Sequence, residues 1–411
     1  MDNKINRHFC IQPFVNSTTR VDGTNYICCN IRKSDSHIDN ETPASFFRSK
    51  YRNEFRKKIL NGEKLTECGL CHYQEEKSKN SQRIEYNKYY NILNDRPIDY
   101  YKNMLDKLRI SDLENPLYSD IHVSNLCNLK CLSCNDKDSS KFHAENKTLG
   151  NSEFPNDTFS KTTSRMLDAI DSVITDNLLF LDLRGGETLM VPEVKNILQN
   201  ISEEKAKKIT LKIQTNGNIV PDEIWCNIFK KFKRTKVNVS VDAYGDDNQY
   251  IRHPSNWSKI LQTIEVLKKQ NVKFLINTVI SNLNIMVIDK LFNWIQENRY
   301  LNYFYILDTP IHYRPTNLPQ SLLDIASKRM QNIDKNFVLT DCNQKLDDLI
   351  EMCKQSDLTN WNAFCNEITM RDNFRKNSII DVIPEMQVHL QSFKKTLNNR
   401  KENYVKVQRN Q

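Results

Sequence analysis

From residue 117 to residue 309 the chain alternates between two kinds of segment, and this alternation restricts the fold more than any other feature. LYSDIHVS (117–124), NLLFLDL (177–183), KITLKIQT (208–215), KVNVSVDA (236–243), VKFLINTVIS (272–281) and NYFYILDT (302–309) are short and rich in aliphatic, β-branched and aromatic residues, as strands are. Between them lie FSKTTSRMLDAIDSVI (159–174), VPEVKNILQNI (191–201), PDEIWCNIFKKF (221–232), SKILQTIEVLKKQ (258–270) and VIDKLFNWIQEN (287–298), whose apolar residues recur at helical spacing. Six strands separated by helices predict an α/β fold: a parallel sheet with right-handed crossovers, either doubly wound or curled into a barrel. In either arrangement the working end is where the strands finish.

The chemically informative residues fall at those strand ends. Cys127, Cys131 and Cys134 in NLCNLKCLSCN (125–135) follow the first strand, and RGGE (184–187) follows the second. TNG (215–217) follows the third and DAYG (242–245) the fourth. Turn glycines alone would not bring three cysteines with them.

With 411 residues, 38% of them apolar, the chain has room for two or three domains or one large barrel with additions. The 59 Lys+Arg against 51 Asp+Glu give +8, spread without a block of like charge. That describes a solvated, lysine-rich surface rather than a polyanion-binding face. The start, MDNKINRHFC, has no apolar secretory core, and runs such as VKFLINTVI (272–280) fall short of the ~20 residues a membrane span needs. Twelve cysteines in such a chain predict reduced thiols serving metal or catalysis, and a cytoplasmic location.

Thiolate sulfur selects zinc, copper(I) or iron–sulfur clusters. Zinc would need a fourth ligand, for which His143 is the candidate in the following loop. Three cysteines on one loop also suit three irons of a cubane cluster, leaving the fourth iron open to a chelating ligand that can accept an electron.

Here the sequence resembles the radical S-adenosylmethionine (SAM) superfamily, whose CxxxCxxC loop follows the first strand of a partial (β/α)6 TIM-like barrel. Cys127-x3-Cys131-x2-Cys134 matches that spacing and placement. GGET (185–188) stands where the family has GGEP, and QTNG (214–217) and VSVDAYGDDNQYIRHPSNW (239–257) resemble the subgroup carrying SPASM or twitch extensions. The resemblance implies a 4Fe–4S cluster on the three cysteines and SAM chelated to its open iron. It further implies that Gly185 and Gly186 admit the methionine part, that Glu187 accepts from its ammonium group, and that Asn216, in QTNG, lies in the cofactor site. Ser240 and Asp242 are expected at the ribose or amino group, Arg252 at the carboxylate, and Val279 and Ile280 on the adenine. The plainer readings are a turn for the glycines, an ion pair for Asp242 and Arg252, and core packing for Val279 and Ile280.

A second cysteine set lies upstream. FCIQPFVNSTTRVDGTNYICCN (9–30) holds Cys10 and Cys28 either side of an Asp-Gly hairpin signal, with Cys29 alongside, and LTECGLCHYQEE (65–76) adds Cys68 and Cys71. Cys10, Cys28, Cys68 and Cys71 make a four-thiol set that fits structural zinc on chemical grounds. The pattern also resembles the hairpin of SPASM and twitch domains, which implies an auxiliary 4Fe–4S cluster; in those proteins the module usually follows the barrel, whereas here it precedes it.

The expected organisation is a cysteine-rich, twitch-like domain over 1–90, a helical linker over 91–116, the barrel over 117–310 and a helical extension over 311–411. That extension is expected to have helices near 319–331, 344–357 and 384–398. Residues 136–157 are expected to be a polar surface loop, and Cys226, Cys342, Cys353 and Cys365 structural. The resemblance implies reductive cleavage of SAM to a 5′-deoxyadenosyl radical that abstracts hydrogen from substrate. The expected substrate is a peptide or protein side chain; a nucleotide, sugar or small metabolite is the alternative. A flavodoxin or ferredoxin would donate the electron. A different class of reading is a non-catalytic iron–sulfur or zinc protein that binds nucleic acid.

Overall fold

The computed structural model describes residues 6–31, 33–78, 81–92, 96–110, 113–152, 164–333 and 346–395, and all six expected strands form within it. They are β3 (Tyr118–His122), β4 (Phe180–Arg184), β5 (Thr210–Thr215), β6 (Arg234–Ser240), β7 (Lys273–Ile280) and β8 (Asn302–Ile306). Each pairs in parallel with the next, and two more strands from the N-terminus, β1 (Asn16–Thr19) and β2 (Asn25–Tyr26), extend the sheet to the order β2-β1-β3-β4-β5-β6-β7-β8. The crossover helices include Pro192–Asn200, Glu223–Lys231, Trp257–Lys269 and Ile288–Glu297, all close to their expected positions. Residues 159–163 of the first expected helix lie outside the described residues; the rest forms Ser164–Val173.

Strand alternation divides the two faces of the sheet. Leu181, Leu183, Leu211, Ile213, Val237, Val239 and Ile276 face the helices and are buried with Ile170, Leu198, Trp225, Ile264 and Leu291 in one apolar core. The opposite face carries Asp120, His122, Asp182, Arg184, Lys212, Gln214, Asn238 and Ser240. This inner face is concave. The charges of Asp242, Arg252 and Arg184 reach the Tyr305 hydroxyl, although a flat sheet would hold β4 and β8 about 19 Å apart. The sheet is therefore the wall of a partial barrel, open between β2 and β8.

The N-terminal segment is continuous with that wall. The expected hairpin forms around Gly23, whose φ of +83° and closeness to His37 exclude a side chain: a Cβ there would sit 2.6 Å from His37 Nε2. β1 then pairs in parallel with β3, Asn16 opposite Tyr118 through Thr19 opposite Ile121. Behind it Phe9, Ile11, Phe14, Phe46, Phe55, Ile59, Tyr101 and Leu105 form a second apolar cluster, so the helix Ile98–Lys107 of the expected linker belongs to this body. The helix Gln82–Tyr89 lays Tyr86 against Tyr118 and Tyr89 against Phe180, with ring centroids 6.0 and 5.9 Å apart, and closes the inner face where the strands begin.

Two expectations need correction. Residues 140–148, expected within a surface loop, form the helix Ser140–Thr148, with Phe142, His143, Glu145 and Asn146 buried; residues 153–157 lie outside the described residues. In the C-terminal region the helices Gln320–Gln331, Leu346–Met352 and a run over 386–395 answer the expected ones, but the 15-residue helix Trp361–Arg375 was not expected. Its buried stripe of Phe364, Cys365 and Ile368 is completed by a charged residue, Arg371, which hides the apolar period. Among the described residues no helix is long and apolar enough to cross a membrane.

Candidate functional site

The cysteine loop leaves β3 at the C-terminal edge of the sheet, and its backbone is bound on every side. Gly186 N donates to Ser124 O (2.7 Å) and Glu187 N to Leu126 O (2.8 Å). Cys127 N donates to Ser140 Oγ (3.1 Å), and Ser139 Oγ to Leu129 O (2.7 Å). Lys130 N donates to His253 O and Leu132 N to Ile251 O, at 2.6 and 2.9 Å. Leu129 and Leu132 are each 1% exposed and pin the loop from within. What the clamping leaves over is three sulfurs. Burial pushes the thiol of Cys127 up to about 11, with a further push from Cys131; Cys134 is raised by burial and then by Cys131 and Cys127. Ionised together, the three sulfurs would oppose one another's charge, which cations bound between them would relieve.

The surroundings suit such cations. Leu129 N donates to Cys127 Sγ at 3.4 Å, and Asn216 Nδ2 lies 3.9 Å from the same sulfur. Arg252 feels the charge of Cys131 and Cys127 and is ion-paired with Asp242 at 2.8 Å. Arg252 Nε and Asn125 Oδ1 are buried without a hydrogen-bond partner. Orphaned buried polar atoms beside three thiols are what a missing ligand leaves behind. Among the described residues no group of three or more Cys, His, Asp or Glu is arranged to hold a metal ion as it stands. The soft donor set and the orphaned atoms nevertheless fit a thiolate-bound cluster with one position left for a small ligand.

Several expected residues also have partners within the protein. A Cβ on Gly185 would lie 2.3 Å from Ser124 O, and one on Gly186 would lie 2.4 Å from Leu126 O. The glycines thus let the β4 loop seat against the cysteine loop. Glu187 is buried, and its carboxylate accepts from Thr215 Oγ1 (2.8 Å), Asn216 N (2.7 Å) and Leu189 N (3.2 Å). Burial raises it to about 7 against those three donors, and it ties the ends of β4 and β5 together. Asp242 is taken by Arg252 and by Val279 N, the ion-pair reading, while Ser240 Oγ accepts from Gln214 Nε2 at 3.3 Å. Val279 lies on the inner face, but Ile280 alternates into the core behind the sheet and is fully buried there. His143 is turned toward Asp136, 3.4 Å away.

Sequence reasoning missed the charged knot that anchors the loop. Glu145 receives Lys130 (2.5 Å), Arg371 (2.6 Å) and Arg375 (2.6 Å), and Arg375 Nη2 also donates to Lys130 O (2.8 Å). These donors hold Glu145 down at about 2 against the opposing effect of burial. The only sequence signal for it is Lys130 standing between two cysteines.

The upstream thiols also converge. Cys10, Cys28, Cys29, Cys68 and Cys71 line one narrow cavity of about 20 Å³ with Asn30, Arg83 and Tyr86. Burial raises Cys10 most, followed by the charges of Cys28, Cys71 and Cys68. Asn30 Nδ2 donates to Cys71 Sγ at 3.2 Å, and Asn87 brackets Cys10 by bonding Ile11 N and Phe9 O. Cys29 lies toward Asp120, Arg184 and Arg20 on the inner face. Cys226, Cys353 and Cys365 are buried free thiols, and Cys342 lies outside the described residues. An open surface hollow of about 480 Å³ lined by Tyr244, Gly245, Asp246, Asp247, Trp257 and Lys290 contains none of these site residues.

Residues 121–295 match the family model described as the Radical SAM superfamily. A GTP 3′,8-cyclase of Clostridium perfringens is 28% identical over 184 residues, 44% of this chain and 49% of its own length. A serine-type anaerobic sulfatase-maturating enzyme of Bacteroides thetaiotaomicron is 27% identical over 205 residues, 48% of this chain and 46% of its own. The crystal structure of Streptococcus suis SuiB bound to S-adenosylmethionine has a TM-score of 0.35 and 17% identity, covering 65% of this chain and 59% of that one. The chain thus spans about half the length of these first two curated relatives. Residues 121–295 thus form a domain similar to those of the radical SAM superfamily.

Proposed function

We propose that this chain is a radical SAM enzyme that takes hydrogen from a peptide or protein side chain, and that Cys10, Cys28, Cys68 and Cys71 hold an auxiliary 4Fe–4S cluster. The observation that carries the reading is the loop of Cys127, Cys131 and Cys134, whose backbone is bound at Leu126, Cys127, Leu129, Lys130 and Leu132 while its three sulfurs and the orphaned Arg252 Nε are left for a ligand. With a 4Fe–4S cluster and SAM bound there, the chemistry supplied is one-electron reductive cleavage of SAM to a 5′-deoxyadenosyl radical.

The chain's own residues position and insulate. Arg252, held by Asp242, places a buried positive charge beside the thiolates and lowers the cost of keeping them ionised. Asn216 fixes the ends of β5 and the loop together through Asn128 Oδ1 (2.7 Å) and its backbone bond to Glu187. The knot at Glu145 keeps the loop from swinging, and the barrel wall shields reactive species from water. Zinc on the upstream thiols is the chemical alternative.

The peptide reading is supported by the similarity to a sulfatase-maturating enzyme, whose name makes a protein its object. The similarity to a GTP 3′,8-cyclase supports a nucleotide as the second reading. In anaerobically reconstituted protein, SAM is expected to perturb the EPR signal of the reduced cluster. Cys131→Ala should abolish 5′-deoxyadenosine formation while iron bound upstream stays. Retained formation in that variant, or a reduced cluster indifferent to SAM, contradicts the assignment.

A further inference from the structure

The inner face of the sheet carries charge that neither the cysteine loop nor the upstream thiols use. In register across the strands run Asp120, Asp182, Lys212, Lys236 and Lys273, and the next inward row contains His122 and Arg184. Asp182 is fully buried; its Oδ2 accepts from the Tyr118 hydroxyl (2.7 Å), Arg184 Nη2 (2.5 Å) and Lys212 Nζ (2.8 Å). Burial opposes its ionisation, but the charges of Arg184 and Lys212 hold it well below the usual carboxylate range. Asp182 thus positions two cations, whose side chains remain 28% and 31% exposed, and Asp120 holds Arg184 from a second side at 2.9 Å. Lys273 is exposed on the same face, and Arg20, bonded to the Cys29 carbonyl (2.6 Å) and facing His122 (3.5 Å), adds another cation. Two buried carboxylates, Asp120 and Asp182, face this group of cations. Tyr305, on the far wall of this face, is 40% exposed.

We propose that this concave face binds a peptide segment bearing carboxylate side chains, with Arg184, Lys212 and Lys273 as its partners. The inference rests on the peptide reading above and names the substrate's chemistry. The cations span β4 to β7, about 14 Å at the spacing of neighbouring strands. That length suits carboxylates on alternate residues of an extended peptide, which recur about every 7 Å, better than a single phosphate group. The floor of tyrosines at the strands' beginning and the cysteine loop at their ends bound the groove, so an acidic segment held there lies between the two thiol sets.

Fluorescence anisotropy on the full-length protein tests this with a fluorescein-labelled peptide of alternating glycine and glutamate, the glutamine version of that peptide, and inorganic tripolyphosphate as competitor. The glutamate peptide is expected to bind at least about tenfold tighter than the glutamine one, and to weaken as salt rises. Replacing Lys212 and Lys273 together by glutamine should cost about tenfold, roughly threefold for each exposed pair. Lys273→Glu alters a solvent-facing side chain and should weaken the glutamate peptide while strengthening a lysine analogue. Equal binding of the glutamate and glutamine peptides, no response to Lys273→Glu, or displacement by tripolyphosphate at lower concentration than by unlabelled peptide overturns the proposal. Release of 5′-deoxyadenosine from SAM by wild-type protein and dithionite, without peptide, is measured alongside. Release without glutamate preference sinks this inference alone, whereas no release removes the reading on which it rests, and the inference with it.

Discussion

Gly186 was legible in the sequence as a position where a side chain would obstruct something, but not as to what. Its missing Cβ makes room for the carbonyls of Leu126 and Asn125, 2.4 and 2.6 Å from where that atom would stand. Both belong to the cysteine loop, so the glycine acts on the cluster site through backbone contact. Gly186→Ala is expected to push that loop outward, at a cost of about 1–3 kcal/mol. If Cys127, Cys131 and Cys134 hold the proposed cluster, most of its iron should be lost while any metal on the upstream thiols stays, as iron and sulfide analysis of the purified variant would show. The three cysteines stand out in the sequence because they fall within eight residues of one loop. The protein donors of Glu187 were not legible, because two of the three, Thr215 and Asn216, come from the end of the next strand.

The elements were predicted well where periodicity is complete and poorly where a charge completes it. The six parallel strands and their crossover helices carry full apolar periods and were placed to within a few residues. The helices Ser140–Thr148 and Trp361–Arg375 were misjudged or missed because each buries charge against the other: Glu145 on one meets Arg371 and Arg375 on the other, more than two hundred residues away. That knot joins two helices to the cysteine loop through Lys130. Glu145→Gln leaves buried cations uncompensated and should cost about 3 kcal/mol at pH 7, measured by chemical denaturation. Because the folded protein holds Glu145 at about 2, below the usual 4.5, its contribution is fully present above pH 4.5. It is lost as pH falls from 4.5 toward 2, so the gap between wild type and variant should narrow across that interval. A gap that does not change with pH would show that the ion pairs are not what Glu145 contributes.

At the scale of the whole molecule, the N-terminal segment and the barrel share one sheet. β1 satisfies the edge of β3, and the aromatic rings of Tyr86 and Tyr89 seal the inner face at the strands' beginning. Removing residues 1–90 is therefore expected to expose β3 as a bare edge and uncover Tyr101 and Leu105, giving aggregated material by size-exclusion chromatography. A monodisperse, folded remainder would show that the barrel stands alone. The sequence by itself determined the α/β class, the order of the elements and the two thiol sets, because periodicity, turn signals and ligand spacing are local properties of a chain. Only the tertiary structure decided that β1 joins the barrel wall, that Glu145 anchors the cysteine loop, and that cations from separate strands line one groove. Those outcomes depend on which distant residues share a dielectric and a hydrogen-bond partner, which only the closing of the sheet establishes.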